Sequence, residues 1–266
     1  MVVRWPAGKP APDPALVRQW ADRRLGVGFD QLLLVDGGEP GVADAGYRIF
    51  NRDGGEVEQC GNGARCIARF VASGGAREAD AAAGTQLRLA SAAGPIEARI
   101  EEDGHVSVNL GVPDFNPESL PFVAERESDR YTLALAAGSV EFGAVSLGNP
   151  HAVIEVDSVD AADVGILGPE LETHAAFPKG VNVGFVEFVD SEAIRLRVHE
   201  RGVGETLACG TGAAAAVAVG RRWGRLAERV SVVLRGGKLS VRWAGPGSPL
   251  WQSGPTTMVY EGQIEL

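Results

Sequence analysis

At a typical ~150 residues per domain, the 266 residues of this chain are enough for about two domains. The hydrophobic fraction of 45% and the charged fraction of 23% are typical of folded globular proteins and exclude a disordered chain. The chain carries 25 Lys and Arg against 35 Asp and Glu, without a basic run, so we expect neither nucleic acid nor a membrane surface as a partner. There is no apolar stretch of the ~18 residues that a membrane helix needs, and no signal-peptide core. We therefore expect a cytoplasmic protein.

The first predicted element is a helix from Asp13 to about Arg24. Asp13 is a suitable N-cap, Pro14 would occupy the first helical position, and Gly26 would end the helix. Most of the remaining chain alternates apolar and polar residues with a period of two, which predicts mainly antiparallel β-sheet. The clearest alternating segments are 87–89, 96–100, 106–110, 133–135, 181–185, 194–198 and 230–234.

Two further helices are predicted, at 62–73 and 211–223. The second is apolar nearly all round, so strands should enclose it on most sides. Two such helices predict two similar units. We therefore expect an α+β fold with two pseudo-symmetric domains, each an antiparallel sheet or barrel wrapped around a central helix. The expected first domain consists of residues 1–112 and 255–266, and the expected second domain of residues 113–254.

A repeat supports this duplication. The pattern Glu-x-x-x-Cys-Gly-x-Gly-Ala begins at Glu56 and again at Glu205, so Cys60 and Cys209 lie 149 residues apart, about one domain length. A structural interpretation is that the glycines form turns and the cysteines are small buried residues. The inclusion of the cysteine in the repeat favours a functional role instead.

Each motif places a cysteine directly before a predicted helix. The unpaired N–H groups and the positive end of the helix dipole attract an anion, and the same field should lower the pKa of the thiol. Two such ends favour a carboxylate held between two sulfurs. This arrangement is typical of an α-amino-acid racemase or epimerase, in which a thiolate removes the α-proton and a thiol returns one on the opposite face. Neither pyridoxal phosphate nor any other cofactor is needed, and we expect none.

Other chemistries explain these residues less well. A cysteine hydrolase would leave the duplication unexplained, and a disulfide oxidoreductase usually has a Cys-x-x-Cys pair. The spacing of Cys60, Cys66 and Cys209 is not that of a zinc site, and His199-Glu200 lacks the second histidine of a zinc protease, so we expect no metal. Cys66, inside the first of the two helices, is expected to pack against its surroundings.

Four segments carry a resemblance to a known family. Residues 51–66 (NRDGGEVEQCGNGARC) closely resemble the first signature of the diaminopimelate epimerase family. Residues 148–151 (GNPH), 177–182 (FPKGVN) and 200–212 (ERGVGETLACGTG) resemble its remaining motifs in the same order. The resemblance runs from about Asp13 to Leu266. It implies that residues 255–266 return to complete the first domain.

The resemblance also implies an activity: cofactor-independent interconversion of LL- and meso-diaminopimelate, for lysine and peptidoglycan synthesis. Cys60 and Cys209 would be the acid–base pair. The residues that would hold the α-carboxylate at the reacting end are Gly61, Asn62, Gly210 and Thr211. Those that would recognise the distal amino-acid group are Asn51, Asn149, Asn182, Glu200 and Arg201. Gln31 would line the site and His151 would support the cysteines. The only expected small-molecule partner is diaminopimelate, and a second copy of the chain is expected to form a homodimer.

Several of these residues also have a structural interpretation. Glu200-Arg201 could be an exposed strand end, Asn149 could start a turn before Pro150, and His151 could be a buried hydrogen-bonded histidine. Family members also begin with a strand that carries a Gly-Asn-Asp-Phe motif, and this chain begins after it.

Three alternative functions remain open. For the missing motif we favour a start assigned too far downstream. The first alternative function is a catalytically impaired diaminopimelate-binding form. Another is a proline or hydroxyproline racemase on the same fold, which would not need the Glu200-Arg201 pair. The third is a redox-switched protein in which Cys60 and Cys209 form a disulfide.

Overall fold

The computed structural model describes residues 1–6, 8–57, 61–74, 81–92, 94–136 and 138–264. The chain forms two compact units, Met1–Val108 with Gly254–Leu266, and Asn109–Ser253. Each unit combines strands with a few helices, so the predicted α+β class is confirmed. Within the described ranges, every helix is too short or too polar to cross a membrane.

The first unit is built on a mixed sheet. Its elements are β1 (Val2–Arg4), α1 (Pro14–Ala21), β2 (Gln31–Val35), β3 (Ala45–Asn51), β4 (Glu56–Val57), α2 (Gly61–Ala72), β5 (Gln86–Ser91), β6 (Gly94–Ile100) and β7 (Val106–Asn109). The strand order is β1-β2-β3-β5-β6-β7, and β4 pairs with β3. The pairs β1–β2 and β3–β5 are parallel, while β2–β3, β3–β4, β5–β6 and β6–β7 are antiparallel as the alternation predicted.

Helix α1 begins where the sequence predicts and ends earlier. The Asp13 carboxylate accepts the N–H of Ala15 at 2.7 Å, which confirms the predicted N-cap. The helix ends at Ala21 rather than near Arg24. The reason is Asp22, whose side chain accepts the N–H groups of Arg24 and Leu25 and thereby forms a local turn instead of another helical turn.

Helix α2 buries most of its surface in the first unit. Ala64, Ile67 and Ala68 are fully buried, and the helix packs on β2, β5 and β6. Cys66 is exposed, so the expectation that it packs is wrong. Asn62 and Cys66 are four residues apart and therefore share the outer face of the helix.

The second unit has a longer sheet. Its elements are β8 (Tyr131–Leu135), β9 (Gly138–Ser146), β10 (Pro150–Glu155), α3 (Val164–Glu172), β11 (Asn182–Phe188), β12 (Ala193–Glu200), β13 (Gly204–Thr206), α4 (Gly210–Arg222), β14 (Arg229–Leu234), β15 (Gly237–Trp243) and β16 (Leu250–Gly254). The strand order is β16-β15-β14-β12-β11-β10-β9-β8, and β13 pairs with β12. The pairs β10–β11 and β12–β14 are parallel, and the other pairs are antiparallel.

Helix α4 is the enclosed helix that its composition predicts. Every residue from Gly210 to Gly220 is buried, and the helix packs on β9, β10, β11 and β15. Small side chains permit this close approach. At Gly220, a Cβ would lie 2.5 Å from Leu226 Cδ1 and 2.8 Å from Phe188 Cε1.

Helix α3 is absent from the prediction. Gly165, Gly168 and Pro169 lie within it, and these residues disfavour helix in an isolated segment. It forms because Val164 and Leu171 are fully buried in the core of the second unit. Tertiary packing therefore outweighs local propensity here.

Candidate active site

Sheet topology gathers several predicted site residues at one end of the second unit. Strands β10 and β11 are parallel, with His151 paired to Asn182 near their first residues. Strand β12 is antiparallel to β11 and ends at Glu200. Asn149, which precedes β10, and Arg201, which follows β12, therefore lie at the same end of the sheet.

Cys209 is the N-cap of helix α4. Its φ of −125° and ψ of 117° are extended, and its Sγ accepts the N–H of Gly212 at 3.4 Å. The side chain is buried, and the residue carries a free thiol. A Cβ at Gly212 would lie 3.3 Å from this sulfur. The second glycine of the Cys-Gly-x-Gly motif thus leaves room for the sulfur in its capping position.

A chain of hydrogen bonds ends on the Cys209 sulfur. His151 Nε2 lies 3.1 Å from Asn149 Oδ1, and Asn149 Nδ2 donates to Thr211 Oγ1 at 3.3 Å. Thr211 Oγ1 lies 3.6 Å from Cys209 Sγ. Because an amide oxygen only accepts, Nε2 of His151 carries the proton, and the Thr211 hydroxyl keeps its own proton for the sulfur. The chain therefore directs a donor at Cys209.

Burial determines the protonation of both ends of this chain. It raises the pKa of the Cys209 thiol well above its ordinary value, and the Glu200 carboxylate raises this pKa further. The Thr211 and Gly212 hydrogen bonds lower it by less. The expectation that the helix end lowers this thiol pKa is therefore wrong for Cys209, because desolvation outweighs the donors. Burial, with a smaller contribution from the Arg201 charge, lowers the pKa of His151 to about 3, so its ring is neutral.

Asn182 stabilises the turn between β12 and β13, residues 201–203. The Asn182 Nδ2 group donates to the carbonyl of Pro150 at 3.0 Å, and its Oδ1 accepts the N–H of Arg201 at 3.0 Å. The Arg201 guanidinium donates to the carbonyl of Lys179 at 3.0 Å. Asn182 therefore joins the beginning of β10 to the end of β12.

The first unit places two predicted residues side by side. Gln31 and Asn51 are partners on β2 and β3, and Gln31 Nε2 donates to Asn51 Oδ1 at 3.2 Å. Gly61 begins α2, and Asn62 Oδ1 accepts from the Arg65 guanidinium at 2.7 Å. Cys60 lies outside the described residues. The binding and catalytic roles assigned to the residues of both units stay predictions.

The cysteine repeat extends upstream of the two glutamates that begin the Glu-x-x-x-Cys-Gly-x-Gly-Ala pattern. Arg197 forms a two-pronged ion pair with Glu205 at 2.7 and 3.0 Å, and Arg48 forms the same pair with Glu56 at 2.7 and 2.7 Å. Both glutamates begin a copy of the repeat, and the two arginines are also 149 residues apart. Comparison of the residues upstream of each copy would have revealed the arginines.

Two further residues near the site were missed. Gln252 is fully buried, and its Nε2 donates to the carbonyl of Gly210 at 2.5 Å, in the first turn of α4. Glu172 contacts His199 and accepts the backbone N–H of Gly202, the residue after Arg201. A lone glutamine and a helix-terminal glutamate have no motif that sequence reasoning could use.

Known proteins resemble this chain along nearly all of its length. The sequence model of diaminopimelate epimerase matches residues 6–116 and 143–259. Diaminopimelate epimerases of Nitrosomonas europaea and Chromobacterium violaceum are each 51% identical, over 96% and 95% of this chain and 90% of each relative. The chain belongs to the diaminopimelate epimerase family. Membership confirms the resemblance drawn from the motifs and assigns the chain to the isomerases.

Solved structures of low sequence identity share the fold of this chain. A hydroxyproline epimerase from Agrobacterium vitis, solved with bound trans-4-hydroxy-L-proline, has a TM-score of 0.61 at 20% identity, covering 89% of this chain and 76% of that one. A PhzF-family phenazine biosynthesis protein from Enterococcus faecalis has a TM-score of 0.63 at 16% identity, covering 100% and 92%. At such identities the likeness concerns the fold alone.

Proposed function

We propose that this protein interconverts LL- and meso-diaminopimelate by moving the α-proton between Cys60 and Cys209. The observation that carries the proposal is the position of Cys209, a buried thiol at the start of α4 with the Gly212 N–H and the Thr211 hydroxyl at its sulfur. The two relatives at 51% identity support diaminopimelate as the substrate.

In the resting enzyme Cys209 is a neutral thiol because burial raises its pKa. It therefore acts as the acid and gives its proton to the α-carbon, while Cys60 as thiolate removes the original proton from the other face. The Cys209 thiolate that results accepts hydrogen bonds from Gly212 and Thr211 at the positive end of the helix. In the reverse reaction the two cysteines exchange roles.

The helix N-termini bind the reacting carboxylate in this proposal. Gly210-Thr211 at α4 and Gly61-Asn62 at α2 supply first-turn N–H groups. As the α-proton leaves, negative charge moves onto the carboxylate oxygens, where these donors stabilise it. The chemistry uses only side chains and backbone of the protein.

The distal amino-acid group binds at the end of β12 in this proposal. The Arg201 guanidinium pairs with the distal carboxylate and Glu200 accepts the distal ammonium. The amides assigned to the same end are Asn51, Asn149 and Asn182. Asn182 acts through the Arg201 backbone, which it binds. Roles in lysine and peptidoglycan synthesis, a cytoplasmic location and a homodimer belong to the same proposal.

Isotope exchange tests the proposal. The protein is incubated with LL-diaminopimelate in deuterated water, and α-deuterium and meso product are followed. We expect both in the wild type, their loss in Cys60→Ala and in Cys209→Ala, and full activity in Cys66→Ala, the exposed control. Exchange that persists in either active-site variant would contradict the two-thiol mechanism. Tight binding without exchange identifies a binding protein, and turnover of proline instead identifies a racemase of another substrate.

A further inference from the structure

Glu172, the last residue of α3, has a carboxylate that binds two separate parts of the second unit. Its Oε2 lies 2.6 Å from His199 Nε2, and its Oε1 accepts the backbone N–H of Gly202 at 2.7 Å. The His199 and Glu172 side chains are only 6% and 17% exposed. Both carboxylate oxygens are therefore used, in a largely buried setting where such hydrogen bonds are strong.

These contacts hold the turn between β12 and β13. Glu172 binds the N–H of Gly202, and Asn182 binds the N–H of Arg201, which precedes it. Two consecutive backbone donors of an otherwise exposed turn thus have side-chain acceptors from other segments. Without them the turn would be a short hairpin end of low local stability.

Close packing restricts the same residues. A Cβ at Gly168, on α3, would lie 2.6 Å from Cγ of the His199 ring. A Cβ at Gly180 would lie 3.0 Å from Arg201 Cδ. The His199 ring therefore lies against α3, and the aliphatic part of the Arg201 side chain lies against Gly180. A displacement of α3 or of Gly180 would consequently move Glu200 and Arg201.

We propose that Glu172, together with His199, is a positioning residue for distal-end recognition and so sets the preference for a substrate with a second amino-acid group. The inference rests on the proposed function, in which Glu200 and Arg201 bind that group. The hydrogen-bond donors at the Cys209 sulfur are Gly212 and Thr211, and Glu172 binds neither of them; among the described residues, only the Glu200 carboxylate links this thiol to the turn that Glu172 supports. Loss of Glu172 should therefore weaken distal binding far more than proton transfer.

Steady-state exchange kinetics with two substrates test this. One substrate is LL-diaminopimelate, and the other is 2-aminoheptanoate, which has the reacting end without a distal amino-acid group. We expect Glu172→Ala to raise KM for diaminopimelate roughly tenfold, the effect of losing the charge-assisted hydrogen bond that holds Gly202, with kcat changed less than about threefold. Its kcat/KM for 2-aminoheptanoate should stay within about threefold of the wild-type value.

Two variants complete the test. Glu170→Ala removes the same charge from α3, but that carboxylate binds the N–H of Ala136, so we expect wild-type kinetics. Glu172→Gln keeps an acceptor for the N–H of Gly202, so its KM for diaminopimelate should rise by only about threefold. If Glu172→Ala does not fold, this variant tests the positioning role. An unchanged KM, or equal losses on both substrates, in an active enzyme overturns the positioning role alone. A wild type without diaminopimelate exchange overturns the proposed function and this inference together.

Discussion

Cys209 is under two opposing influences. Burial disfavours the thiolate, whereas the Thr211 hydroxyl and the Gly212 N–H favour it, and burial is the larger effect on the pKa. A thiol of this kind holds its proton at rest, and its donors become effective once the proton has left. The hydrogen-bond chain from His151 through Asn149 keeps the Thr211 hydroxyl directed at the sulfur.

Replacing Thr211 with Val should raise the pKa of Cys209 further, because the hydroxyl donor to the sulfur is lost. The measurement is the pH dependence of iodoacetamide alkylation in a Cys60→Ser, Cys66→Ser background, where Cys209 is the sole cysteine of the sequence. Alkylation should begin at higher pH in Thr211→Val than in the background.

Thr211→Ser retains the hydroxyl and should behave as the background does. Thr173→Val is the matched control, because its hydroxyl donates to the carbonyl of Pro169 at 2.9 Å and not to the thiol. A Thr211→Val profile at the same or lower pH would show that the hydroxyl gives the thiolate no support.

At the scale of elements, a similar hairpin precedes each cysteine motif. Strands β3 and β4 form one and β12 and β13 the other, each with an arginine–glutamate pair across it. The surroundings differ. Arg197 and Glu205 are 11% and 25% exposed, whereas Arg48 and Glu56 are 46% and 40% exposed. Solvent therefore weakens the Arg48–Glu56 pair more than the Arg197–Glu205 pair.

Double-mutant cycles should show this difference. Arg197→Met and Glu205→Gln, singly and combined, should give a coupling free energy of roughly 1–2 kcal/mol, and Arg48→Met with Glu56→Gln at most about 0.5 kcal/mol. The measurement is urea unfolding at low salt. Arg197 also donates to the carbonyls of Val159 and Ala162. Arg197→Met loses these hydrogen bonds whether Glu205 is present or not, so their contribution cancels in the cycle. Equal couplings for the two pairs would refute the argument from exposure.

At the scale of the whole molecule, a buried neutral histidine makes folding sensitive to acid. The pKa of His151 is about 3 in the folded protein against an ordinary 6.5. Between these pH values the unfolded chain binds a proton that the folded protein does not. The stability that His151 contributes is therefore present above about pH 6.5 and is lost as the pH falls towards 3.

His151→Gln should remove this pH dependence. Lowering the pH from about 6.5 to 4.5 should cost the wild type roughly 2 kcal/mol more of its unfolding free energy than it costs the variant. Urea unfolding at a series of pH values measures it. His105→Gln, which alters a side chain that is 44% exposed, should follow the wild type. Parallel curves for the wild type and His151→Gln would exclude the proposed protonation state.

The sequence by itself determined the features that depend on local pattern. The Asp13 N-cap, the strand alternation and the wholly apolar α4 all follow from residue type and spacing, as does the family motif around Cys209. Each of these signals lies within a few consecutive residues, where periodicity and capping preferences act directly.

Only the tertiary structure decided the features that depend on burial and on contacts between distant segments. Helix α3 forms despite Gly168 and Pro169 because its apolar residues enter the core. The direction of the Cys209 pKa shift depends on desolvation by surrounding elements. Glu172 reaches Gly202 across 30 residues of sequence. No local pattern encodes such contacts, because their free energy arises only when the chain is folded.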